Sequence, residues 1–371
     1  MNINIDKNLC IKIGLGAVLL LLLFICFNKR FEHFGSYKAS CDYLPRAVKH
    51  ALEKRKMNKV DDDSWEYYLP CGYTRCESNV RAFKNLDTGK KIFMIDGCDW
   101  IASKVGIWKL LKEEWGEKAK KIMPETFVLS DKEDKKRFIK FYENRKRENK
   151  GAKFILKNYR QRQEGLRLAN NLTDIFNALK DDFKLVQDFL ENPYTISGRK
   201  VNLRYYLLIT CHNNKIKGWI YRDGFVYYTP KLFKKNSMDF KETITTGYID
   251  RKVYEENPLT LKDFRKHLGK EKAKKFDEEV RQKMKATMKA LSRRICSEDK
   301  LKKHLKFQIF GADVAPDENL DCTLMEINKG PDIGFKDERD GNVKKQMVYD
   351  AFNVIDPIKG EEGKHEFERI Y

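Results

Sequence analysis

Two short runs near the carboxyl end constrain this chain most. Phe310-Gly311-Ala312-Asp313 is followed, after a polar gap, by Met325-Glu326-Ile327-Asn328. The spacing predicts paired strands. Phe307 to Val314 is apolar, Pro316-Asp317-Glu318-Asn319 has turn chemistry, and Thr323 to Ile327 returns. Side chains alternate faces along a strand, so Glu326 and Asn328 point the same way and a hairpin brings Asp313 beside them. Two carboxylates and an amide oxygen suit Mg²⁺, which takes oxygen ligands and keeps water and phosphate in its shell. The residues outline a metal–nucleotide site and make an enzyme the first hypothesis. A solvated hairpin with ordinary surface acids is the competing reading of the same residues.

The chain has 371 residues, enough for two or three packed lobes. Apolar content of 41% excludes a disordered chain. A formal net charge of +20 favours a polyanionic partner. No zinc finger or RNA-binding aromatic motif is present, so nucleic acid is not expected. The nine cysteines, Cys10, Cys26, Cys41, Cys71, Cys76, Cys98, Cys211, Cys296 and Cys322, contain no CxxC pair. That pattern reads as reduced, mostly buried thiols in a cytosol-facing domain.

Ile13 to Phe27 is uncharged and leucine-rich, and extending it back to Leu9 adds only Lys12. The length approaches the roughly 20 residues that a bilayer needs. A signal peptide competes, but Asn28-Lys29-Arg30 follows without a small-residue cleavage site. Residues 9–28 are therefore expected as a single-pass anchor. The heavier basic flank, Lys29, Arg30 and Lys38, places the remainder on the cytosolic side.

Further along, Val105, Trp108, Leu111 and Trp115 lie on one helical face within Lys104 to Trp115. Ser130 or Asp131 caps a helix running through Phe138, Phe141 and Tyr142. Its other face is rich in lysine and arginine: either a solvated face or a dock for an acidic partner. Strands are expected at Phe154-Ile155-Leu156, Leu185 to Leu190 and Val201 to Thr210. Asp223-Gly224, between two aromatic runs, reads as a hairpin turn. Leu261 to Leu305 is mostly helical, with a packing stripe of Phe276, Val280, Met284, Met288, Leu291 and Ile295.

Four blocks together carry a resemblance. They are Pro124-Glu125-Thr126-Phe127 with Phe154-Ile155-Leu156-Lys157; Val186-Gln187-Asp188-Phe189-Leu190-Glu191-Asn192-Pro193; Gly198-Arg199-Lys200-Val201-Asn202-Leu203-Arg204; and the Asp313 and Glu326 pair of runs. In that order and at those gaps, residues from about Lys104 to Ile355 resemble the tubulin–tyrosine ligase-like family of ATP-grasp enzymes. These join an amino acid to a protein. The resemblance implies an α+β ATP-grasp fold, here preceded by the anchor. Its expected parts are a tail (1–8), the anchor (9–28), a basic connector (29–60), an N-terminal lobe (61–123), a central lobe (124–198), a C-terminal lobe (199–358) and a polar tail (359–371).

The resemblance also implies roles. Lys157, and Lys104 before it, would contact the phosphates of ATP. Tyr159 to Gly165 would be the loop over them. Gln187, Asp188, Phe189 and Leu190 would be the linker strand whose backbone meets the adenine. Lys200, Asn202 and Arg204 share one strand face. Lys200 and Arg204 would grip phosphate and a substrate carboxylate, and Arg204 would steady the anionic tetrahedral intermediate. Asp313, Glu326 and Asn328 would hold Mg²⁺. The γ-phosphoryl of ATP would pass to a carboxylate, giving an acyl phosphate that an amine attacks.

The chain departs from the family pattern at Asn158 (commonly proline), at the arginine-rich loop after it, at Asn202 (aspartate), at Tyr227 (arginine) and at Thr245-Thr246-Gly247, which lacks an asparagine. Glutamylation of an acidic tail such as tubulin's, by a monomer that takes a free amino acid, is the first expectation. The alternatives are a catalytically degenerate, membrane-anchored protein that binds nucleotide and acidic tails, and a basic membrane scaffold.

Overall fold

Residues 126–188 fold as a unit between two stretches, 36–92 and 195–369, that share one larger sheet. The computed structural model describes residues 35–41, 43–70, 86–148, 153–158, 163–245 and 249–371, with Ser78 and Phe83. The first stretch carries β1 (Ser36–Ala39), α1 (Arg46–Lys54), β2 (Asn58–Lys59), β3 (Tyr67–Leu69) and β4 (Lys91–Ile92). These strands pair in parallel. Residues 36–59, expected within a connector, are thus part of the fold. In α1, Ala47, Val48, Ala51 and Leu52 are buried at helical spacing. α2 (Cys98–Ala102) and α3 (Lys104–Trp115) follow; the Ser103 hydroxyl caps α3 by accepting from Gly106 N–H.

The inserted unit is an antiparallel sheet in the order β5 (Thr126–Val128), β8 (Leu185–Asp188), β6 (Phe154–Lys157), β7 (Leu166–Ala169). α4 (Lys132–Arg147) and α5 (Leu172–Ala178) cover one face. Asp131, one of the two expected caps, accepts from Glu133 and Asp134 N–H. Alternation sends Phe154, Leu156, Phe127 and Val186 into a core with Phe138, Tyr142 and Ile175. Ile155 turns to the other face, packing with Leu168, Phe189 and Ile244. Lys153 and Lys157 share the parity of Ile155, so they also leave the α4 face.

The second stretch begins with β9 (Thr195–Ile196) and two long antiparallel strands, β10 (Arg199–His212) and β11 (Lys215–Tyr228). Their turn is Asn213-Asn214, both at positive φ (48° and 61°). This corrects the sequence reading, because β11 continues through Asp223-Gly224, where its register with β10 shifts. Gly224 is needed for close approach: a Cβ there would lie 2.1 Å from the Arg204 carbonyl oxygen. Asp223 accepts from Gly224 N–H (2.9 Å) and from Lys262 N–H (3.0 Å).

Short helices α6 (Phe240–Thr243) and α7 (Val253–Glu256) lead to α8 (Leu261–Leu268) and α9 (Lys270–Leu291). The expected stripe from Phe276 to Ile295 is buried. β12 (Leu305–Pro316) pairs antiparallel with β10 and β13 (Cys322–Asn328), and parallel with β4, which joins the two stretches. α10 (Glu338–Ile355) and β14 (Phe367–Arg369) complete the fold; β14 pairs with β11, so residues 367–369 of the expected polar tail are sheet.

A large mixed sheet and a small antiparallel sheet, each flanked by helices, match the ATP-grasp expectation. Cys211 and Cys296 form a disulfide, Cα atoms 5.9 Å apart, which corrects the expectation of reduced thiols at these two positions; Cys98 and Cys322 are buried and outside any disulfide. The expected anchor, residues 9–28, lies outside the described residues, among which no helix is long and apolar enough to cross a membrane.

Candidate active site

Register assembles the site. On β10, Lys200, Asn202 and Arg204 face one way while Val201, Leu203 and Tyr205 enter the core. Arg204 pairs across with Asp313 of β12, and Asp313 with Glu326 of β13. Asn328 stands opposite Gly311. Asp313, Glu326 and Asn328 therefore converge, as the sequence predicts. The Asn328 amide donates to Glu326 Oε1 (3.1 Å) and lies 3.5 Å from Asp313 Oδ2.

Arg204 grips Asp313 with two donors, Nε to Oδ1 and Nη2 to Oδ2 (3.0 Å). Gly311 makes room for it, since a Cβ there would meet Arg204 Cδ and Nη1 at 3.1 Å. The Tyr227 ring supports the guanidinium, 5.5 Å from its centroid. Burial raises the Asp313 pKa, and the Arg204 charge opposes that rise. Glu326 is held below its usual value: burial pushes it up, but Lys157 and Lys104 outweigh that.

Lys157 Nζ lies 3.5 Å from the Met325 carbonyl, beside Glu326, and Lys104 Nζ donates to the Asn158 carbonyl (3.2 Å). Lys200 Nζ stands 4.5 Å from the Phe189 ring centroid. A fourth lysine was missed from the sequence. Lys153 Nζ lies 4.2 Å from the same ring and donates to the Ser237 carbonyl. Lys153, just before β6, shares the parity of Ile155 and Lys157 on that strand, a local pattern that places it on the same face; the end residues are about 13 Å apart at 3.3 Å per residue. Burial pushes Lys157 and Lys153 down to about 8. Burial, then Lys153 and Lys157, push Lys200 down to about 7. Among the described residues none of these three ammonium groups is in an ion pair. Such a row in a buried cleft asks for a polyanion.

Two orphaned buried oxygens add to the fit. Gln187 donates Nε2 to Thr126 (2.9 Å), yet among the described residues its Oε1 has no partner, and neither has Asn202 Oδ1. Both belong to residues expected to meet the nucleotide, and each can accept from a base amino group or a sugar hydroxyl. The Asp188 side chain instead faces away, with both oxygens on Arg145 Nη1 (2.7 Å); its place in the linker leaves only its backbone for a base. Leu190 follows β8 in the segment joining the two units. Among the described residues no group of three His, Cys, Asp or Glu is arranged to hold a metal ion by itself. The oxygen set of Asp313, Glu326 and Asn328 fits a hard cation that takes its remaining ligands from phosphate and water. Loop residues 159–162 and 246–248, which include Gly247, lie outside the described residues.

The model of the tubulin-tyrosine ligase family matches residues 84–364. Among similar proteins, a probable tubulin polyglutamylase, TTLL9 of Rattus norvegicus, is 29% identical over 48% of this chain and 40% of its own length. The tubulin monoglutamylase TTLL4 of Mus musculus is 24% identical over 84% of this chain and 27% of its own. Tubulin glycylase 3B of Drosophila melanogaster is 23% identical over 54% and 29%. The chain thus spans less than half the length of these relatives.

Proposed function

The chain belongs to the tubulin-tyrosine ligase family, and on that footing we propose that it is an ATP- and Mg²⁺-dependent ligase that adds an amino acid to an acidic protein tail. The lysine row, in no ion pair among the described residues and opposite Asp313 and Glu326, carries this reading. Lys153, Lys200 and Lys157 would neutralise and orient the triphosphate. Gln187 Oε1 and Asn202 Oδ1 would accept from the base and sugar. Asp313, Glu326 and Asn328 would hold Mg²⁺, whose chemistry is to neutralise charge that builds as phosphoryl moves. The acceptor carboxylate attacks the γ-phosphorus, ADP leaves, and the acyl phosphate forms. The incoming amine then displaces phosphate and gives up a proton. Arg204 is placed to steady the oxyanion of that step, a kind of contact worth on the order of 10²–10³ in rate.

Glutamate is the proposed added residue and a tubulin-like tail the acceptor, supported by the activities named for two of the relatives. Residues 9–28 are proposed as a single-pass anchor with the ligase in the cytosol, supported by the uncharged run Ile13 to Phe27. Tyr227 in place of an arginine favours a second reading, in which nucleotide binds without turnover. Incubation with Mg-ATP, each amino acid in turn and a glutamate-rich peptide, read by intact mass, separates them. A glutamyl increment is expected. Nucleotide binding with no increment from any amino acid would establish the second reading instead.

A further inference from the structure

A cleft of about 510 Å³ lies against the segment that joins the two units, largely on the α4 side of the small sheet, and reaches Phe189, whose ring also carries Lys153 and Lys200. Its floor is apolar: Phe127, Phe141 and Leu190. One wall is the 3₁₀ turn Gly116–Lys121 and the other is α4. Each wall presents an exposed lysine, Lys120 and Lys140. Among the described residues neither makes an ion pair, whereas every carboxylate lining the cleft is engaged. Glu117 meets Lys112 (2.7 Å), Glu125 meets Arg137 (2.9 Å), and Asp188 meets Arg145 (2.7 Å). Two lysines that make no ion pair among the described residues therefore line one cleft with an aromatic floor, on a chain of net charge +20.

We propose that this cleft docks an acidic stretch of the polypeptide acceptor, its carboxylates reaching Lys120 and Lys140 while an apolar side chain between them rests on Phe127 and Phe141. The inference rests on the ligase reading and adds a second contact outside the catalytic cleft. Separate walls, each with one long flexible cation, suit carboxylates on successive residues better than one small anion. Charge on the walls steers the encounter, and the aromatic floor selects the side chain between the charges. Asp188 and Leu190 bound both this cleft and the linker, so an occupant touches the segment on which the two units would close.

The test uses the full chain, a fluorescein-labelled peptide of glutamates with one central phenylalanine, and anisotropy. Lys120→Glu with Lys140→Glu is expected to raise the peptide Kd at least tenfold and to flatten its salt dependence, with the Kd for Mg-nucleotide unchanged. Asn144→Trp, which fills the cleft and leaves its charge intact, is expected to weaken the peptide similarly. An all-glutamate peptide is expected to bind more weakly than the phenylalanine-bearing one. Wild-type affinity in both variants would overturn this docking site while leaving the ligase reading standing. A wild-type chain that binds Mg-nucleotide but no acidic peptide would overturn the acceptor itself.

Discussion

Arg204 and a divalent cation compete for the same carboxylate. In the fold as it stands, the guanidinium occupies both oxygens of Asp313, so metal loading has to draw Arg204 away, toward the Tyr227 ring or a substrate carboxylate. Arg204→Met removes the competitor. Mn²⁺ affinity, read by electron paramagnetic resonance, is expected to rise. Without metal the variant leaves Asp313 buried and unpaired, a loss of about 3 kcal/mol visible in urea unfolding and partly recovered on adding Mn²⁺. Unchanged Mn²⁺ affinity would mean that Asp313 is not a ligand.

The three lysines give a second expectation. Their folded pKa values, about 7 and about 8, lie below that of an unfolded lysine. The unfolded chain therefore binds more protons between about pH 7 and 10, and stability rises with pH there as the buried charges are relieved. A triphosphate favours the charged forms, so ATP affinity falls over the same window and binding takes up protons. Calorimetry at pH 8 in buffers of different ionisation enthalpy is expected to report net uptake; proton release would remove the lysines from the nucleotide site.

Asp223-Gly224 shows where sequence patterns lead astray. A dipeptide made for a hairpin turn instead sits inside β11, because its two properties are used separately. The aspartate accepts the Lys262 N–H beside the start of α8, and the glycine lets the backbone approach Arg204. Gly224→Ala would push a methyl into the Arg204 carbonyl, and an overpacking cost of about 2–3 kcal/mol is expected in thermal melts. The true turn at Asn213-Asn214 predicts its own test, since Asn214→Val should cost roughly 1–2 kcal/mol for a β-branched residue forced to positive φ. The hairpin from Phe310 to Asn328 was legible because alternation alone fixes which faces Asp313, Glu326 and Asn328 occupy. The strand motif around Lys200 and Arg204 was legible for the same reason. Lys153 escaped because parity with Lys157 gives its face but does not separate a cleft lysine from the many surface ones; that comes from Phe189 and Ser237, far away in sequence. The Arg204–Asp313 pairing escaped because register between β10 and β12 depends on packing across more than 100 residues.

The larger sheet joins the chain's beginning to its end. β4 pairs with β12, and β3, β1 and β2 extend outward from it. α1 packs its buried face beside α10, with Arg55 reaching Asn353 (2.7 Å) and the Asp356 carbonyl (2.5 Å), and the Tyr67 hydroxyl reaching the Asp356 carboxylate (2.7 Å). A chain that starts at residue 61 loses β1, α1 and β2. It exposes the edge of β3 and the apolar residues that Val48, Ala51 and Leu52 cover, an edge open to pairing with another chain. A chain that starts at residue 35 keeps them all. The shorter form is expected to aggregate or to melt without a cooperative transition. The longer one should unfold cooperatively and gain about 2.7 kcal/mol from Mg-nucleotide at a hundred times its Kd, read as a shift in Tm. If the form starting at residue 61 folds and binds nucleotide as well as the form starting at 35, the first two strands and α1 are ornament, and the core of the fold begins where the sequence alone placed its first lobe.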